Sequence, residues 1–413
     1  MDLSNIKKIV IVGGGFGGIY AALDLAKKKL PNTKITLISD EPHFEYHAAL
    51  YRVVTGHSPL EVCIPLREIF EGKKIEVLED DIVEVNLVEK LLRGSSRSRY
   101  SFDYLVLALG SETIYFNIPG LKEYSFGFKS IVEALKLKKH LHDLFQACTI
   151  SAEDQEEDVC RMHLVVVGGG ASGVELAGEL AVYTRKLAKK HRVDPSLITI
   201  DLIEAAPRLL PVLPEDVSER VKNRLHALGV NIFLNRTVTE QEIEEVHLKD
   251  MEVKTKTVIW TAGVKPHRLY SKIQGLELDK RGRVVVDEFL QAKGFSNVFV
   301  IGDAAATLYT GMAQTAIRDG SFTEEIIAKS ISGMSAIPYQ PKKPFYAIPI
   351  GPGWATVLIG QLRIYGRVGW FIRRLLDLRF FLSILPFPKA ILAFRSGKTL
   401  CESCKICMPE TND

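Results

Sequence analysis

Short runs of consecutive apolar residues alternate with glycine-rich turns and helix-like stretches along much of the chain. Residues 8–12 are mostly β-branched and apolar, a glycine-rich turn follows at residues 13–18, and residues 19–30 have helical character. A second β-branched run occupies residues 35–38. Continuous apolar runs of this length are typical of strands that are buried on both faces of a parallel sheet. The pattern therefore predicts a βαβ unit.

The same pattern recurs further along the chain, with its glycine turn 155 positions after the first one (Gly13 to Gly168). Apolar residues 163–167 lead into this turn, a predicted helix follows, and a β-branched strand is predicted over residues 198–204. A glycine turn can simply pack tightly, but a repeat in the same strand–helix context favours a nucleotide site. The sequence therefore predicts two dinucleotide-binding units.

Each of the two turns has the spacing G-x-G-x-x-G. The first glycine permits a tight turn, the second lets the backbone approach a pyrophosphate, and the third lets helix and strand pack closely. The N-terminus of the following helix offers free N–H groups to the phosphates. The predicted cofactor-binding glycines are Gly13, Gly15 and Gly18 in the first unit and Gly168, Gly170 and Gly173 in the second.

The residue that ends the second strand of each unit indicates which nucleotide binds there, because a carboxylate accepts hydrogen bonds from ribose hydroxyls. Glu204 occupies this position in the second unit, and no arginine follows it directly. The sequence therefore favours NADH over NADPH, although Arg208 is close enough to keep NADPH open. In the first unit the position is held by Ser39, with Asp40 one residue later, and both are candidate cofactor contacts.

Two further apolar runs flank the second unit in sequence and end in turns with candidate cofactor contacts. Residues 102–110 end at Gly110, and residues 295–303 end at Asp303. An aspartate at the end of such a strand, facing the first nucleotide unit, can bind the ribityl hydroxyls of a flavin. We therefore predict that FAD binds the first unit.

The closing strand and turn of the second unit are predicted over residues 257–263, with Gly263 as a further candidate cofactor contact. Because the two flanking runs complete the first unit, the second unit is inserted into it. The predicted fold class is α/β, with two Rossmann-like dinucleotide-binding domains. The FAD domain would comprise residues 1–122 and 268–345, and the inserted NADH domain residues 123–267.

Several segments of the chain resemble the type II NADH dehydrogenases, which are the single-subunit NADH:quinone oxidoreductases of the FAD-dependent pyridine-nucleotide oxidoreductase superfamily. The resemblance extends over nearly the whole chain as far as Gln340. The segments that carry it are residues 44–51, 54–56, 64–67, 173–180, 203–211, 260–264 and 313–320.

This resemblance implies an enzyme that passes a hydride from NADH to FAD and then two electrons to a membrane quinone, without pumping protons. Glu175, near the start of the second-unit helix, would lie where the nicotinamide meets the isoalloxazine, and Gln314 would line the flavin and quinone site. The family pattern has a second glutamine where this chain has Arg318. A guanidinium carries a fixed charge and has no acceptor. Arg318 could stabilise an anionic reduced flavin or quinol, or indicate a different acceptor.

Other flavoproteins remain as alternatives. A protein similar to apoptosis-inducing factor would bind NADH and FAD but act through a partner and not through fast turnover. A related FAD-dependent oxidoreductase would use a different acceptor. Sulfide:quinone oxidoreductases need redox cysteines at the flavin, and no cysteine lies between Arg161 and Leu400. The sequence therefore favours the NADH:quinone oxidoreductase.

The distribution of charge along the chain is uneven only near the C-terminus, where it indicates a partner. The chain has 53 basic and 50 acidic residues, but residues 341–400 contain ten Lys or Arg and one acid, Asp377, for a net charge of +9 (10 − 1). The same segment is rich in aromatic and aliphatic residues, and it has no nucleic-acid-binding motif. The predicted partner is therefore a membrane surface, with nucleic acid excluded.

Residues 369–378 have the pattern of an amphipathic helix, with Arg373, Arg374 and Asp377 on its polar face. The following apolar run is interrupted by prolines and is shorter than the roughly 20 residues that a spanning helix needs. We therefore predict that residues 346–400 lie in the membrane interface, with basic residues near an anionic leaflet. The alternative is a dimerisation helix, which would make the protein a homodimer.

The number of cysteines in the chain indicates the cellular compartment, whereas their spacing does not establish a metal site. Six cysteines and no secretory leader favour a reducing compartment, so we predict a peripheral protein at the cytoplasmic side of the cell membrane. Cys401, Cys404 and Cys407 lie in the tail, residues 401–413, with a spacing that could suit zinc or an iron–sulfur cluster. A fourth ligand is not supplied nearby, so an unstructured thiol-rich end is favoured and no metal site is predicted.

Overall fold

The structure, a computed structural model, describes residues 6–153 and 162–399 of the chain. The three cysteines of the tail, Cys401, Cys404 and Cys407, lie outside the described residues. The chain forms two compact units, and the assignment of residue ranges to an FAD and an NADH domain stays a prediction. The first unit comprises Met1–Glu45, Cys63–Glu112 and Val264–Pro344, and the second comprises Tyr46–Val62, Thr113–Gly263 and Phe345–Asp413.

The first unit is built on a five-stranded parallel sheet. Its central strand, β1 (Lys7–Val12), pairs in parallel with β2 (Thr33–Ser39) and β9 (Tyr104–Leu107), and two further strands, β5 (Glu76–Glu79) and β20 (Val298–Val300), extend the sheet in parallel at its two edges. The apolar residues of β1 are at most 3% exposed, as expected for a strand covered on both faces. In spatial order the strands are β20 (Val298–Val300), β9 (Tyr104–Leu107), β1 (Lys7–Val12), β2 (Thr33–Ser39) and β5 (Glu76–Glu79).

Two helices of the first unit, α1 (Phe16–Lys28) and α8 (Ala313–Ile331), approach each other through glycines. A Cβ on Gly320 would lie 2.4 Å from the carbonyl oxygen of Gly17, so the two backbones can pack this closely only without a side chain at Gly320. The other elements are β3 (His43–Glu45), β4 (Cys63–Pro65), α3 (Leu66–Ile69), β6 (Ile82–Asn86), β7 (Leu91–Gly94), β8 (Arg99–Ser101), β10 (Ser111–Thr113), which reaches the unit boundary, and β19 (Val264–Pro266).

The second unit is built on another five-stranded parallel sheet, in which every neighbouring pair of strands is parallel. In spatial order its strands are β11 (Phe126–Gly127), β18 (Thr257–Trp260), β12 (Met162–Val167), β13 (Ile198–Glu204) and β14 (Asn231–Leu234). The remaining elements are α2 (Leu50–Val54), α4 (Leu121–Tyr124), α5 (Ile131–Glu153), α6 (Ala171–His191), α7 (Glu215–Ala227), β15 (Val238–Gln241), β16 (Glu245–Leu248), β17 (Glu252–Lys254), β21 (Tyr346–Pro349), β22 (Ala355–Ile359), β23 (Leu362–Tyr365), α9 (Gly366–Ile384) and α10 (Phe387–Ser396).

The two sheets confirm the predicted α/β fold with two Rossmann-like units. The strand predicted over residues 198–204 has the predicted bounds, and α1 begins earlier than predicted, at Phe16. The reason is the backbone of Gly15, which is extended (φ −81°, ψ −171°) and serves as the N-cap. The predicted glycine turn is therefore shorter than its run of glycines, and the last two glycines belong to the helix.

The predicted orientation of the charged face of the C-terminal helix is wrong. Arg373, Arg374 and Asp377 of α9 are buried, whereas Phe371 and Leu375 on the opposite face are 59% and 47% exposed. The charged side chains of α9 lie in the interior of the second unit, where they form ion pairs with one another and with Glu61 and do not face lipid. None of the helices within residues 6–153 and 162–399 combines the length and the apolar character that crossing a bilayer requires.

Candidate active site

The first glycine-rich turn has the geometry that its spacing predicts. Gly13 has a φ of +112°, which favours glycine, and a Cβ there would lie 2.4 Å from the Ala108 carbonyl oxygen. A Cβ on Gly18 would lie 1.9 Å from the Gly13 carbonyl oxygen. A Cβ on Gly15 would meet no atom within 4 Å. The turn therefore leaves open space beside a helix N-terminus, which fits a pyrophosphate.

The second turn repeats this pattern glycine by glycine. Gly168 has a φ of +115°, and a Cβ there would lie 2.7 Å from Thr261 Oγ1. A Cβ on Gly173 would lie 1.8 Å from the Gly168 carbonyl oxygen, whereas one on Gly170 would meet no atom within 4 Å. In both units the first and third glycines have no room for a side chain, and the second faces open space. Each turn therefore fits one dinucleotide.

Four candidate residues of the first unit lie at one edge of its sheet. Gly13, Ser39, Gly110 and Asp303 end or follow the strands β1, β2, β9 and β20. The carboxyl ends of parallel strands share an edge, where open α/β sheets bind their ligands. The hydroxyl of Ser111, next to Gly110, donates to Asp303 Oδ2 over 2.6 Å. The structure thus brings the predicted flavin contacts of this unit together.

Ser39 and Asp40, the two candidates for a ribose contact, differ in exposure. Ser39 is 3% exposed, and its Oγ would lie 2.6 Å from a Cβ on Gly14. Asp40 is exposed. Asp40 is therefore the more accessible acceptor for a ribose hydroxyl, and Ser39 mainly packs under the turn.

The acid of the second unit is held at the glycine turn. The Glu204 carboxylate accepts hydrogen bonds from the backbone N–H groups of Gly169 and Ala206. Arg208, the residue that kept NADPH open, binds the loop that follows it and the first turn of α7 through its guanidinium. Its partners are the carbonyl oxygens of Pro211 and Leu213 and the hydroxyl of Ser218, at 2.6, 2.6 and 2.8 Å. These bonds leave fewer donors for a 2′-phosphate, which supports NADH.

Gly263 follows β18, whose carboxyl end shares an edge with those of β12 and β13. A Cβ on Gly263 would lie 3.1 Å from the side chain of Ile114 and 3.2 Å from that of Phe116. Trp260 holds the segment around Ile114 in place, because its Nε1 donates to the Ile114 carbonyl oxygen over 2.8 Å. Gly263 therefore lies at the same edge as Gly168 and Glu204, in a turn with little room for a side chain.

Glu175 and Glu179 lie one turn apart on α6. Burial raises the pKa of Glu175 to about 8, although the charges of Arg373 and Arg52 oppose this shift. Burial also raises the pKa of Glu179 to about 7, and this side chain is 8% exposed. Glu179 is therefore buried and not solvated. At neutral pH Glu175 is mainly protonated and can donate a proton.

A buried network of five charged side chains lies in the same unit as Glu175. Arg52 Nη1 contacts both carboxylate oxygens of Glu61 at 2.7 Å, and Arg374 Nη1 bonds Glu61 at 2.6 Å and Asp377 at 2.9 Å. Arg373 bonds Asp377 as well. All five residues are at most 7% exposed. With three arginines and two carboxylates, the network has a formal excess of one positive charge.

Gln314 and Arg318 are four residues apart on α8 of the first unit, and both are half-buried. This spacing places them on one face of the helix. Arg318 Nη1 donates to the carbonyl oxygen of Lys342 over 2.8 Å. Arg318 therefore binds the segment that leaves the first unit, and its role at an acceptor site stays a prediction.

Arg52 and Glu61 of the buried network were missed by reasoning from the sequence. No local pattern in the sequence links either residue to α9. The only available signal is the spacing of Arg373, Arg374 and Asp377, which places three charges on one face of α9. That spacing describes a solvated polar face equally well, so the sequence alone does not separate the two.

Comparison with known proteins identifies relatives over most of the chain. The sequence profile of the pyridine nucleotide-disulphide oxidoreductase family matches residues 7–320. A type II NADH:quinone oxidoreductase of Mycobacterium tuberculosis is 31% identical over 420 residues, which cover 95% of this chain and 89% of that protein. A type II NADH:quinone oxidoreductase of Staphylococcus aureus is 27% identical over 406 residues, covering 95% and 98%.

Two solved structures share the fold. NDH2 from Plasmodium falciparum in complex with NADH has a TM-score of 0.83 at 21% identity, over 95% of this chain and 97% of that one. The sulfide:quinone oxidoreductase from Aquifex aeolicus has a TM-score of 0.74 at 18% identity, over 95% and 92%. At these identities the similarity shows a common fold and no more.

Proposed function

Because the chain belongs to the pyridine nucleotide-disulphide oxidoreductase family and, within it, to the type II NADH:quinone oxidoreductases, we propose that it oxidises NADH through bound FAD and reduces a quinone. The observation that carries this proposal is the pair of glycine turns with matching geometry, one in each unit. Each turn lies at the carboxyl edge of a parallel sheet, beside candidate acidic contacts for a ribose or a ribityl chain.

The first unit would hold FAD and the second NADH. Gly13, Gly15 and Gly18 would receive the FAD pyrophosphate, with Asp303 on the ribityl chain and Asp40 on the ribose. The corresponding contacts to NADH would be Gly168, Gly170, Gly173 and Glu204. When bound, FAD supplies the acceptor for the hydride of NADH and the two electrons for the quinone. The residues of the chain bind and orient the two dinucleotides.

Proton supply would come from the second unit. Reduction of a quinone to a quinol takes two electrons and two protons. The hydride of NADH brings both electrons and one of these protons, and the protonated carboxyl of Glu175, whose pKa of about 8 suits neutral pH, is a donor for the other. We propose that Glu175 holds a proton for this step. On the first unit, Gln314 would contact the acceptor, and the fixed charge of Arg318 would stabilise an anionic product.

Steady-state kinetics tests this function. Purified protein with NADH and a short-chain quinone should turn over at a typical enzyme rate, on the order of 10 per second or more. A protein similar to apoptosis-inducing factor would instead form a long-lived complex of reduced flavin with the oxidised nucleotide and turn over quinone negligibly. Slow turnover together with such a complex would contradict the enzyme and favour the binding protein.

We also propose that the exposed apolar face of α9 and α10 binds a membrane surface. Four residues along one stripe of α9 and two on α10 are large, apolar and between 42% and 69% exposed. Arg367, Arg379 and Arg395 are exposed on the same helices, and each would contribute about 1 kcal/mol near an anionic leaflet. The apolar residues of this face are Val368, Phe371, Leu375, Leu382, Phe387 and Leu392.

Replacing both Phe371 and Leu375 with serine should weaken binding to vesicles that contain an anionic lipid by about tenfold or more, because two apolar side chains no longer leave water. Co-sedimentation measures the bound fraction. Val212→Ser with Ile243→Ser is the matched control, since these residues are 78% and 68% exposed elsewhere in the same unit. Undiminished binding of the first variant would contradict the proposal. Conversion of a dimer to monomers would show that the face joins two copies.

The proposed location is the cytoplasmic side of the cell membrane, where the protein would be peripheral. Arg367, Arg379 and Arg395 are exposed on α9 and α10, and basic residues suit the anionic lipids of the cytoplasmic leaflet. This complementarity of charge supports the cytoplasmic side of the membrane. A homodimer that buries the same apolar face is the competing arrangement, and the co-sedimentation experiment separates it from membrane binding.

A further inference from the structure

The turn that carries Asp303 is held by a buried carboxylate to which no role has been assigned. Gly302, which precedes Asp303, is buried and has a φ of +73°. Its N–H donates to Asp319 Oδ2 over 3.0 Å, and its carbonyl oxygen accepts from Thr310 Oγ1 over 2.9 Å. A buried backbone N–H needs a partner. Asp319 therefore supplies the acceptor that keeps this turn in its conformation.

The second oxygen of Asp319 is also used. Tyr339 Oη donates to Asp319 Oδ1 over 2.6 Å, and the Asp319 side chain is fully buried. Burial raises the pKa of Asp319 to about 6, and the hydrogen bonds from Tyr339 and Gly302 oppose this shift. At neutral pH the carboxyl group is therefore mainly ionised. In that state both oxygens are acceptors, which matches the two donors that face them.

Asp319 lies on a rigid part of the first unit. The next residue, Gly320, makes the close approach to Gly17 that fixes α8 against α1. A carboxylate on such an element can hold a neighbouring turn to within the small tolerance that a binding site needs. The turn it holds ends β20 at the edge of the sheet where the flavin contacts gather.

We propose that Asp319 is a positioning residue for the flavin, which acts through the N–H of Gly302 to orient Asp303 and does not touch the cofactor itself. This inference rests on the proposed function, because that proposal assigns Asp303 to FAD. A purely structural role for Asp319 makes a different prediction. In that case its loss would lower the stability of the fold without a specific effect on FAD.

The test is Asp319→Asn, studied in the holoenzyme. The asparagine amide is neutral and offers one acceptor oxygen, so Gly302 N–H would bond an uncharged acceptor and the Tyr339 hydroxyl would have to turn from donor to acceptor. We expect release of FAD, followed by its fluorescence after dilution, to become about tenfold faster, because a hydrogen bond to a charged acceptor is exchanged for a weaker one to a neutral acceptor. Excess FAD should restore kcat, and KM for NADH should stay within about twofold, because NADH is assigned to the other unit.

Asp201→Asn is the matched control. Asp201 is a carboxylate of the second unit that is 3% exposed. It contacts His163 Nε2 at 2.7 Å and accepts from Asn231 Nδ2 at 2.9 Å. Its replacement should lower the melting temperature while FAD release stays at the wild-type rate. If Asp319→Asn behaves as this control does, with a lower melting temperature and normal FAD release, Asp319 is structural and the proposal is overturned.

Tyr339→Phe provides a second variant, which keeps the ring that lies 4.9 Å from Phe322. With the hydroxyl gone, the single oxygen of an asparagine at position 319 can turn to Gly302. The double variant should therefore release FAD no faster than Asp319→Asn alone, whereas independent effects would multiply. If the two substitutions multiply each other's effect on the rate of FAD release, the proposal that Gly302 and Tyr339 both depend on Asp319 is overturned. Wild-type protein that binds no FAD would instead overturn the proposed function, so the two failures are distinguishable.

Discussion

Replacing Asp377 with asparagine is expected to lower the free energy of unfolding by about 3–5 kcal/mol. Asp377 is fully buried and accepts hydrogen bonds from Tyr46 Oη over 2.6 Å, from Arg374 over 2.9 Å and from Arg373. Without its charge, Glu61 alone would balance the three arginines of the network. Uncompensated charge is costly in the interior because it is removed from water. Urea unfolding followed by circular dichroism measures the loss.

Asp216→Asn is the control for this change. Asp216 also bonds an arginine, Arg363, but the two side chains are 50% and 41% exposed, so this pair should contribute less than about 1 kcal/mol. Equal losses from both variants would contradict the buried network. Should Asp377→Asn fail to fold, Tyr46→Phe removes one hydrogen bond to the same carboxylate and should cost about 1–3 kcal/mol. If Tyr46→Phe is as stable as the wild-type protein, the buried network is contradicted as well.

Gly173→Val should reduce kcat/KM for NADH by about 100-fold or more and leave FAD bound. The Cβ would lie 1.8 Å from the Gly168 carbonyl oxygen, so helix and turn must separate. The N–H groups that would receive the pyrophosphate then move. Hydrogen bonds to charged groups contribute about 1.5–3 kcal/mol each, and each 1.4 kcal/mol is a factor of ten in rate. Stopped-flow reduction of the flavin by NADH measures the loss, and reduction by dithionite is the control.

Gly18→Val is the reciprocal variant. Its Cβ would lie 1.9 Å from the Gly13 carbonyl oxygen, so this change should remove FAD and leave the second unit able to bind NADH. The two valines together assign one dinucleotide to each unit. Flavin that stays bound in Gly18→Val, or is reduced by NADH at the normal rate in Gly173→Val, would contradict the assignment.

The sheets and the glycine turns could be predicted from the sequence because their signals are local. Continuous apolar runs predict buried parallel strands, and the strand over residues 198–204 has the predicted bounds. Glycines at fixed spacing meet steric demands within one turn, so Gly13 and Gly18 occupy the predicted places. Glu204 could be found by the same local logic, since it ends the strand next to the turn.

The parts that could not be predicted depend on contacts between distant segments. Arg374 reaches Glu61 across 313 positions of the chain, and no local pattern reports such a pair. The charged face of α9 was predicted to lie near an anionic leaflet because charges are rarely buried without partners, and its partners Arg52 and Glu61 lie far away in sequence. The same holds for Asp319, whose role depends on Gly302 and Tyr339.

An anaerobic titration of the purified protein with NADH, watched through the absorbance of the flavin, decides whether two dinucleotides act together in this chain. The proposed function predicts yellow protein whose flavin is bleached by about one equivalent of NADH and regains its colour after about one equivalent of a quinone. Protein that stays colourless after reconstitution with FAD would contradict it, as would a flavin that NADH does not bleach.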